Sequence, residues 1–436
     1  MSPLANAPAE SAGTRDDRAG PTPATASPGR WERLAVDQPL PRWQGDDMPS
    51  PTTPVQTPAP LLTDGTVTLR RHTPADADRI VEQSTDESSL RWTTVPRGYT
   101  GAHAVEFLEQ VTRAWADPGG TRSWAIEITG DDGNPQFAGT IDVRPGASWD
   151  HASLGFGLHP AARGRGAMAR AVRLVASHAF EHGFWGRPLR RIHWCALAGN
   201  WPSRRVAWAA GFTFHGTLPG TEADPVDPDG PALDSWHASL AAGEPMQPRH
   251  PWMQPKVLPG ERIRLRGWRP EDLTAIEERT DPAHWFPSAN PLRPDTFDAW
   301  LLRRHELMAS GMSVEWAIAE ADTDRALGHL TIFLRGGTLT GDVAELGYQL
   351  MPSARGRGLT KAACRLAIAH AFEPREAGGL GLRRLVAETA ADNLASNAVL
   401  RAVGFTEFGR EHATDELPDG RFEDALHWEL VRHPPL

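Results

Sequence analysis

The chain has 436 residues, a formal net charge of −10 and 40% apolar residues. This length exceeds the usual size of one hydrophobic core, so two domains are expected, and the acidic balance argues against nucleic acid or an anionic membrane as a main partner. No apolar run is long enough for a transmembrane helix. Cys195 and Cys364 are far apart and predict neither a disulfide framework nor a metal cluster. The N-terminus lacks the pattern of a signal peptide, so a cytoplasmic location is expected.

Residues 1–60 form the first segment and are rich in proline, alanine, serine and threonine. Such a segment cannot bury enough apolar surface to offset the entropy lost on ordering, so it is predicted to be a flexible tail. From residue 61 the pattern changes. The stretch "TVTLRRHTPADADRI" (66–80) predicts a short alternating strand, a turn that contains proline and the start of a helix.

This pattern returns later in the chain, which indicates an internal duplication. The first copy is predicted at 61–242 and the second at 259–436, with a proline-punctuated linker at 243–258 between them. Four segments match in the same order: "TVTLRRHTPADADRI" (66–80) with "RIRLRGWRPEDLTAI" (262–276), "SWAIEI" (123–128) with "EWAIAE" (315–320), "LGFGLHPAARGRG" (154–166) with "LGYQLMPSARGRG" (346–358), and "LRRIHWCALAGNWPSRRVAWAAGF" (189–212) with "LRRLVAETAADNLASNAVLRAVGF" (382–405).

The third matched segment ends in a glycine turn, "RGRG", which follows a strand and precedes an apolar stripe of helical spacing. The first amides of a helix have no intrahelical acceptor and lie at the positive end of its dipole, so such a turn is suited to hold an anion. Glycine lets the backbone approach a phosphate closely, and the two arginines of each turn add positive charge. The alternative is an ordinary strand-to-helix turn with solvated arginines.

The fourth matched segment places an asparagine before a helix and a glycine after it. Asn200 and Asn393 are predicted to cap these helices, and Gly211 and Gly404 suit the left-handed residue that follows a helix. Helix capping alone would explain the two asparagines. Trp124 and Trp316 stand at matching strand positions and are predicted to belong to the cores.

Together these residues resemble the GNAT family of N-acetyltransferases, especially the branch that acetylates the N-termini of ribosomal proteins. The resemblance covers both repeats and implies an α/β fold of two tandem domains, each a mixed, mostly antiparallel twisted sheet flanked by helices. It implies acetyl-CoA, or another acyl-CoA, as cofactor. The pyrophosphate would bind the glycine turn, the pantetheine would contact the asparagine, and strand-end amides would serve the oxyanion or the pantetheine. Both turns depart from the family pattern at their last position, where Met168 and Thr360 stand.

The residues that the resemblance assigns to cofactor binding occur in both repeats. The second repeat contributes Leu350, Met351, Arg355, Gly356, Arg357, Gly358, Leu359, Thr360 and Asn393. The first repeat contributes Arg163, Gly164, Arg165, Gly166, Ala167 and Asn200, and its strand-end amides would be those near Leu158 and His159.

A family member transfers the acetyl group directly from a thioester to an amine, which requires a base, an oxyanion donor and an acid. Glu345 and Glu388 lie on strands beside the predicted cofactor cleft of the second repeat, where the first repeat has Ser153 and Cys195. We therefore predict these two glutamates as bases and the second repeat as the catalytic one. The first repeat would be degenerate or serve another acceptor, for which His151 and His193 are alternative bases.

The acid is harder to place from the sequence. Many family members use a tyrosine on the asparagine-led helix, but the two tyrosines of this chain, Tyr99 and Tyr348, lie outside that helix. The ribosomal-protein branch has a serine instead, so Ser396, and Ser203 in the first repeat, inherit the role. A water molecule is the alternative.

Trp285 and Phe286 lie in the segment that selects the acceptor in this family, so they are predicted to contact it. A peptide α-amine has a reference pKa of about 7.7–8.0, against about 10.4 for lysine, which favours an α-amine as acceptor. The expected function is N-acetylation of a peptide, a protein terminus or a small molecule. An acyltransferase for antibiotic-like or natural-product amines, and a non-catalytic acyl-CoA-binding protein, remain alternatives. No metal is expected, and the repeats are expected to pack as an internal pseudo-dimer.

Overall fold

The computed structural model describes residues 59–279, 281–285, 291–334 and 342–432. Nearly all of the predicted tail, and also Phe286, lie outside these ranges. The described residues form two eight-stranded mixed sheets with the same strand order, which confirms the predicted fold class. The first sheet contains β1 (Leu62–Thr63), β2 (Val67–Arg70), β3 (Arg122–Thr129), β4 (Pro135–Pro145), β5 (His151–Leu158), β6 (Arg191–Leu197), β7 (Thr213–Glu222) and β8 (Leu233–Ala241). The second contains β9 (Leu258–Pro259), β10 (Ile263–Arg266), β11 (Ser313–Glu320), β12 (Ala326–Leu334), β13 (Val343–Leu350), β14 (Arg384–Ala390), β15 (Thr406–Glu416) and β16 (Phe422–Val431).

Helices flank both sheets. In the first repeat they are α1 (Ala77–Thr85), α2 (Glu87–Trp92), α3 (Gly101–Ala116), α4 (Ala167–Glu181) and α5 (Trp201–Ala209). In the second repeat they are α6 (Phe297–Ala309), α7 (Leu359–Phe372) and α8 (Leu394–Ala402). The helix start predicted near residue 270 is a 3₁₀ turn, Pro270–Ala275, and a second 3₁₀ turn spans Ala283–Trp285.

A short parallel pair lies near the middle of each sheet, and it creates the clefts. β5 pairs with β6 from residue 151 to residue 154, and β13 pairs with β14 from residue 343 to residue 345. Beyond these residues the strands of each pair carry no further ladder contacts with each other, although both continue. The backbone at the resulting gap is therefore available to a ligand, and the glycine turn follows directly after the first strand of each pair.

Apolar side chains fill the space between each sheet and its helices. Trp124 and Trp316 are fully buried in the two cores, as predicted. The histidine that ends the apolar stripe of α7, His370, is buried and packs edge-on against Trp316, with ring centroids 5.9 Å apart. Its structural role in the second core follows from this contact.

The second repeat contacts the first through α6 and through the linker. Glu306 on α6 is buried and accepts a hydrogen bond from Trp236 Nε1 at 2.7 Å, while Arg204 of α5 lies 3.8 Å from the same carboxylate. In the linker, the ring of Trp252 packs against that of Trp208, with centroids 5.6 Å apart. The arrangement of the repeats as a pseudo-dimer stays a prediction.

We expect the substitution Glu306→Gln to lower the free energy of unfolding by about 1.5–3 kcal/mol, because it removes the negative charge that strengthens the buried hydrogen bond from Trp236 and compensates the buried Arg204. Arg303→Gln is the matched control, since the Arg303 side chain is 57% exposed and an exposed ion pair with Glu306 contributes about 0–1 kcal/mol. Urea denaturation of both variants measures the difference. Equal unfolding free energies for Glu306→Gln and the parent protein would contradict this role of Glu306.

Three features predicted from composition can be compared with the described residues. No helix in these ranges is long and apolar enough to cross a membrane. No group of three histidine, cysteine, aspartate or glutamate side chains in the same ranges is placed to hold a metal ion. Both cysteines are free thiols. The cytoplasmic location stays a prediction.

Candidate active site

The two glycine turns have the same left-handed backbone. The φ angles are +77° at Gly164 and +73° at Gly166, and they are +70° at Gly356 and +72° at Gly358. No neighbouring heavy atom lies within 4 Å of the position that a Cβ would take at any of the four. Each turn is therefore open on its concave face, directly before the first amides of a helix. This geometry fits the pyrophosphate of an acyl-CoA in both repeats.

The residues that follow the turns face the cores. Ala167, Met168 and Leu359 are each only 2% exposed and belong to the hydrophobic clusters beneath the sheets. What Ala167 and Leu359 can offer to a phosphate is therefore the main-chain amide. Ala167 and Met168 also line the cleft of the first repeat, and Thr360 lines that of the second.

The arginine side chains of the turns pair with carboxylates of the protein itself. In the first repeat, one acidic partner follows α1 and the other lies between β3 and β4. In the second repeat, one acidic partner follows the 3₁₀ turn Pro270–Ala275 and the other ends β11. These pairs brace the turn and leave its amides to face a ligand. The pairs are Arg163 with Asp86 at 2.6 Å, Arg165 with Asp131 at 2.8 Å, Arg355 with Asp281 at 2.6 Å and Arg357 with Glu320 at 3.0 Å.

The asparagines are helix caps, as predicted. Asn200 Oδ1 accepts the amide of Ser203 at 3.2 Å, and Asn393 Oδ1 accepts the amide of Ser396 at 3.1 Å. Each asparagine also lines the cleft of its own repeat. Because the cap uses only the side-chain oxygen, the amide nitrogen of each asparagine is a second group that a pantetheine could contact.

Two of the strand-end amides that were predicted to serve a ligand are already used within the sheets. The amide of Met351 donates to the carbonyl of Leu327 at 2.9 Å, and the amide of His159 donates to that of Ala138 at 2.8 Å, so sheet pairing already uses both. Amides of successive strand residues point to opposite edges of the strand. The amide of Leu350, one residue before Met351, therefore points to the cleft edge, and Leu350 lines the second cleft.

The second cleft has a volume of about 820 Å³ and brings most of the predicted site together. Glu345 is the last residue of β13 that pairs with β14, and Glu388 lies on β14 beyond that pairing. The Glu388 side chain is 50% exposed and lies 3.7 Å from His427 on the neighbouring strand. The predicted residues that line this cleft are Glu345, Glu388, Ser396, Leu350, Arg355, Gly356, Gly358, Thr360, Asn393 and Trp285.

Tyr348 also lines this cleft, although it lies outside the asparagine-led helix on which the acid was predicted. It stands on β13, and its Oη lies 2.8 Å from Ser396 Oγ and 3.2 Å from the Ser396 carbonyl on α8. Burial raises the pKa of Tyr348 well above its usual range, and nearby Cys364 adds to this rise. The phenol therefore stays protonated at neutral pH. The signal in the sequence was "LGYQL" against "LGFGL" at matched positions.

The first cleft has a different chemical lining around the same turn. Phe156 replaces Tyr348, and the serine of the helix, Ser203, accepts a hydrogen bond from Trp194 Nε1 at 3.1 Å. Ser153 and Cys195 stand where the strand register of the second repeat places the two glutamates. The cavity measures about 1080 Å³ and is lined by the tryptophans Trp92, Trp194, Trp201, Trp208 and Trp252.

Trp285 is anchored beside the second cleft. Its Nε1 donates to Asp392 Oδ1 at 2.6 Å, and His284 Nε2 lies 3.0 Å from the other oxygen of the same carboxylate. Asp392 directly precedes the capping residue Asn393. Trp285, which is predicted to contact the acceptor, is thus hydrogen-bonded to the residue before Asn393, which is predicted to contact the cofactor.

These features define a class of protein: a tandem α/β protein in which each sheet opens at a parallel strand pair next to a glycine turn and a helix start. Comparison with protein families identifies the class, because the model of the Acetyltransferase (GNAT) domain matches residues 66–213 and 262–406. The chain belongs to the GNAT acetyltransferase family and contains its domain twice. At the level of the family, the predictions of an acyltransferase and of acetyl-CoA as cofactor are confirmed.

Individual relatives match single stretches of the chain. YdaF of Bacillus subtilis (strain 168), named as a ribosomal N-acetyltransferase, is 35% identical over 93 residues, which cover 21% of this chain and 45% of YdaF. The chain therefore spans less than half the length of this relative. Mycobacterium smegmatis RimJ in complex with CoA-disulfide is 24% identical at a TM-score of 0.36, and the match covers 42% of this chain and 90% of the RimJ chain. The microcin C7 self-immunity acetyltransferase MccE, in complex with acetyl-CoA and AMP, is 17% identical at a TM-score of 0.36, and the match covers 41% of this chain and 93% of the MccE chain.

Proposed function

We propose that this chain is an acetyl-CoA-dependent N-acetyltransferase whose second repeat acetylates a primary amine of a peptide or protein N-terminus, or of a small molecule. The observation that carries the proposal is the shared lining of the second cleft. Glu345, Glu388 and the protonated Tyr348 border the same cavity as the glycine turn. The name of YdaF supports a protein N-terminus as the acceptor.

The residues of the second cleft divide the chemical work between them. When bound, acetyl-CoA supplies an activated acetyl thioester. Glu345 or Glu388 takes the proton from the acceptor ammonium, and the Leu350 amide points to where an oxyanion donor is needed. Tyr348 holds a proton at Oη, with the Ser396 hydroxyl beside it as a relay. The prediction that Ser396 serves the acid step is thus kept, with the serine acting through the tyrosine.

The first repeat, in this proposal, binds an acyl-CoA without transferring its acyl group. Its turn has the same open backbone as the second, whereas Ser153, Cys195 and Phe156 offer neither a carboxylate base nor a phenol. Burial raises the pKa of Cys195, and nearby Glu222 raises it further. A thiol held in its neutral form is a poor base or nucleophile.

The assay that tests the proposed function measures thiol release from acetyl-CoA with a panel of amines. The panel contains peptides with a free N-terminus, N-terminally blocked peptides with one lysine, and an aminoglycoside as an antibiotic-like amine. We expect turnover with the free N-termini and far slower turnover with lysine. Turnover with the aminoglycoside alone would instead support the natural-product alternative. Binding of acetyl-CoA without turnover of any amine would make the protein a non-catalytic acyl-CoA binder.

We expect Tyr348→Phe to lower kcat by about 100-fold, because removal of a positioned acid costs about 10²–10⁴-fold. The ring itself fits, since Phe156 occupies the matched position of the first repeat. Tyrosine usually loses its proton near pH 10. Because the pKa of Tyr348 is raised, we expect no fall in the rate of the parent enzyme near pH 10 from loss of this proton. Steady-state kinetics between pH 6 and pH 10 test both points, with acetyl-CoA titration as the control for folding. An unchanged kcat in the variant would remove Tyr348 from the mechanism.

A further inference from the structure

The second cleft extends into a recess lined by α6 and β12, beside the strand positions that pair with Glu345 and Gln349. We call it the arginine recess and define it by Trp300 and Arg304 of α6 and by His329 and Phe333 of β12, all of which line the cleft. Among the described residues that line the first cleft, none comes from α3, and Arg144 of β4 stands at the position matched to Phe333. The recess therefore accompanies the repeat that carries the glutamates and the tyrosine.

A buried carboxylate forms the base of the arginine recess. Glu315 is fully buried, and it accepts hydrogen bonds from Ser313 Oγ at 2.7 Å and Thr331 Oγ1 at 2.6 Å. His329 Nε2 lies 3.0 Å from its second oxygen. Burial pushes the pKa of Glu315 up, but the hydrogen bond and the charge of His329, followed by the charge of Arg304, outweigh burial, so the pKa is lowered. Glu315 is therefore ionised.

His329 is held on both sides of its ring. The indole N–H of Trp268 donates to His329 Nδ1 at 3.2 Å, and Nε2 faces Glu315. Arg304 contributes a further positive charge beside Glu315.

Arg304 compensates the charge of Glu315 without satisfying its own hydrogen-bond donors. Its Nη1 lies 3.7 Å from Glu315 Oε1, beyond hydrogen-bond distance, and its guanidinium lies 5.3 Å from the centre of the Trp300 ring. The Arg304 side chain is 13% exposed, and its Nε is buried without a hydrogen-bond partner in the described structure. The buried Nε is out of a ligand's reach, but the Arg304 side chain lines the cleft, so its terminal nitrogens are the donors for a ligand oxygen there.

We propose that Arg304 binds a carboxylate of the acceptor and thereby selects acidic peptide N-termini. This inference rests on the proposed function, because it assumes that the acceptor amine lies at Glu345. The acceptor would then present its carboxylate to Arg304 and its ammonium to Glu345.

The spacing between the two charged ends indicates how far apart the amine and the carboxylate stand in the acceptor. Glu345 pairs across the strands with Phe333, and Thr331, which contacts Glu315, is the next residue of β12 on the same face. Such diagonal neighbours are about 7–8 Å apart at their strand positions, and Arg304 stands beside Glu315 at the second of them. Arg304 and Glu345 therefore occupy different positions along the cleft, which disfavours an amine and its own α-carboxylate as the two groups they bind. A side-chain carboxylate on the first or second residue of a peptide fits it.

The experiment compares C-terminally amidated tripeptides that carry glutamate at position one or two with the same peptides carrying glutamine. We expect a KM about 10–100-fold lower for at least one glutamate peptide, with similar kcat, because a charge-assisted hydrogen bond is lost in its glutamine partner. Arg304→Met should raise the KM of that peptide to the value of the glutamine peptide. Arg304→Lys should restore part of the preference, and Arg303→Met, one residue away and largely exposed, should keep all of it.

Equal KM values for glutamate and glutamine peptides in the parent enzyme would overturn the inference. So would an equal loss for both peptides in Arg304→Met, because a structural role alone predicts that result. If no peptide is acetylated, the proposed function fails, and calorimetric titration of the same peptides into the full chain with CoA decides the inference separately. A glutamate preference in Kd that disappears in Arg304→Met supports it, whereas equal or undetectable binding of both peptides overturns it.

Discussion

The double substitution Gly356→Glu and Gly358→Glu will abolish detectable acetyl-CoA binding at the second repeat and, with it, turnover. All four turn glycines have positive φ and open space at the Cβ position, so the new side chains occupy the place that the structure offers to a pyrophosphate. Like charges in contact cost several kcal/mol, which corresponds to a loss of affinity of more than about 100-fold. Calorimetric titration of acetyl-CoA into the full-length protein measures the loss.

Two controls separate charge from strain. Gly356→Ala with Gly358→Ala imposes the left-handed strain, about 1–2 kcal/mol per residue, without the charge. Gly164→Glu with Gly166→Glu places the same charges in the first repeat. We expect this last variant to lose one binding site and keep turnover. Loss of turnover from the first-repeat variant, with the second site still occupied, would show that the first repeat takes part in the reaction.

The duplication could be predicted from the sequence because its motifs are local. The glycine turn, the capping asparagine and the core tryptophan each depend on the few residues around them, and each occurs twice at matching positions. Backbone angles in the two turns agree within a few degrees, so the local pattern alone determines this part of the site. The same holds for Asn200 and Asn393, whose caps were expected from their position before a helix.

The parts of the site that depend on partners far away in the sequence could not be predicted. The turn arginines were expected beside the ligand, but their carboxylate partners stand 34–77 residues away in the chain. Whether the amide of Leu350 or of Met351 faces the cleft depends on strand pairing with Leu327. Tyr348 reaches α8 because alternate residues of β13 face that helix, and this contact joins residues 48 positions apart. The arginine recess likewise joins three segments that show no common motif.

The two repeats share one backbone and differ in the side chains that line their clefts. Both keep the turn, the cap and the splayed strand pair, which depend on backbone geometry. They differ at the positions that point into the cleft: Tyr348 against Phe156, and the glutamates against Ser153 and Cys195. Because these substitutions leave the backbone unchanged, loss or gain of the acid and the base requires no change of fold. The first repeat can therefore support the second, as it does through Arg204 and Glu306, without sharing its chemistry.

Of the two candidate bases, we expect Glu345→Gln to have the larger effect, a fall in kcat/KM of about 10²–10⁴-fold. Glu345 lies where β13 and β14 begin to separate and lines the cleft next to the arginine recess. Glu388 is half exposed and lies near His427, so water can replace its carboxylate more readily. Its glutamine variant should lose less than about tenfold.

The pH–rate profile distinguishes a base from a residue that only positions the acceptor. If Glu345 removes the proton, the acid limb of kcat/KM disappears in Glu345→Gln, and Glu345→Asp keeps it at a lower rate. A positioning role predicts a lower rate with the acid limb unchanged. Acetyl-CoA affinity should stay constant in all three variants, because neither glutamate contributes to the glycine turn. A larger loss of activity in Glu388→Gln than in Glu345→Gln would assign the base to Glu388 on β14 instead. Unchanged turnover in both glutamine variants would mean that water removes the proton and that Tyr348 is the one side chain of the three that acts in the reaction.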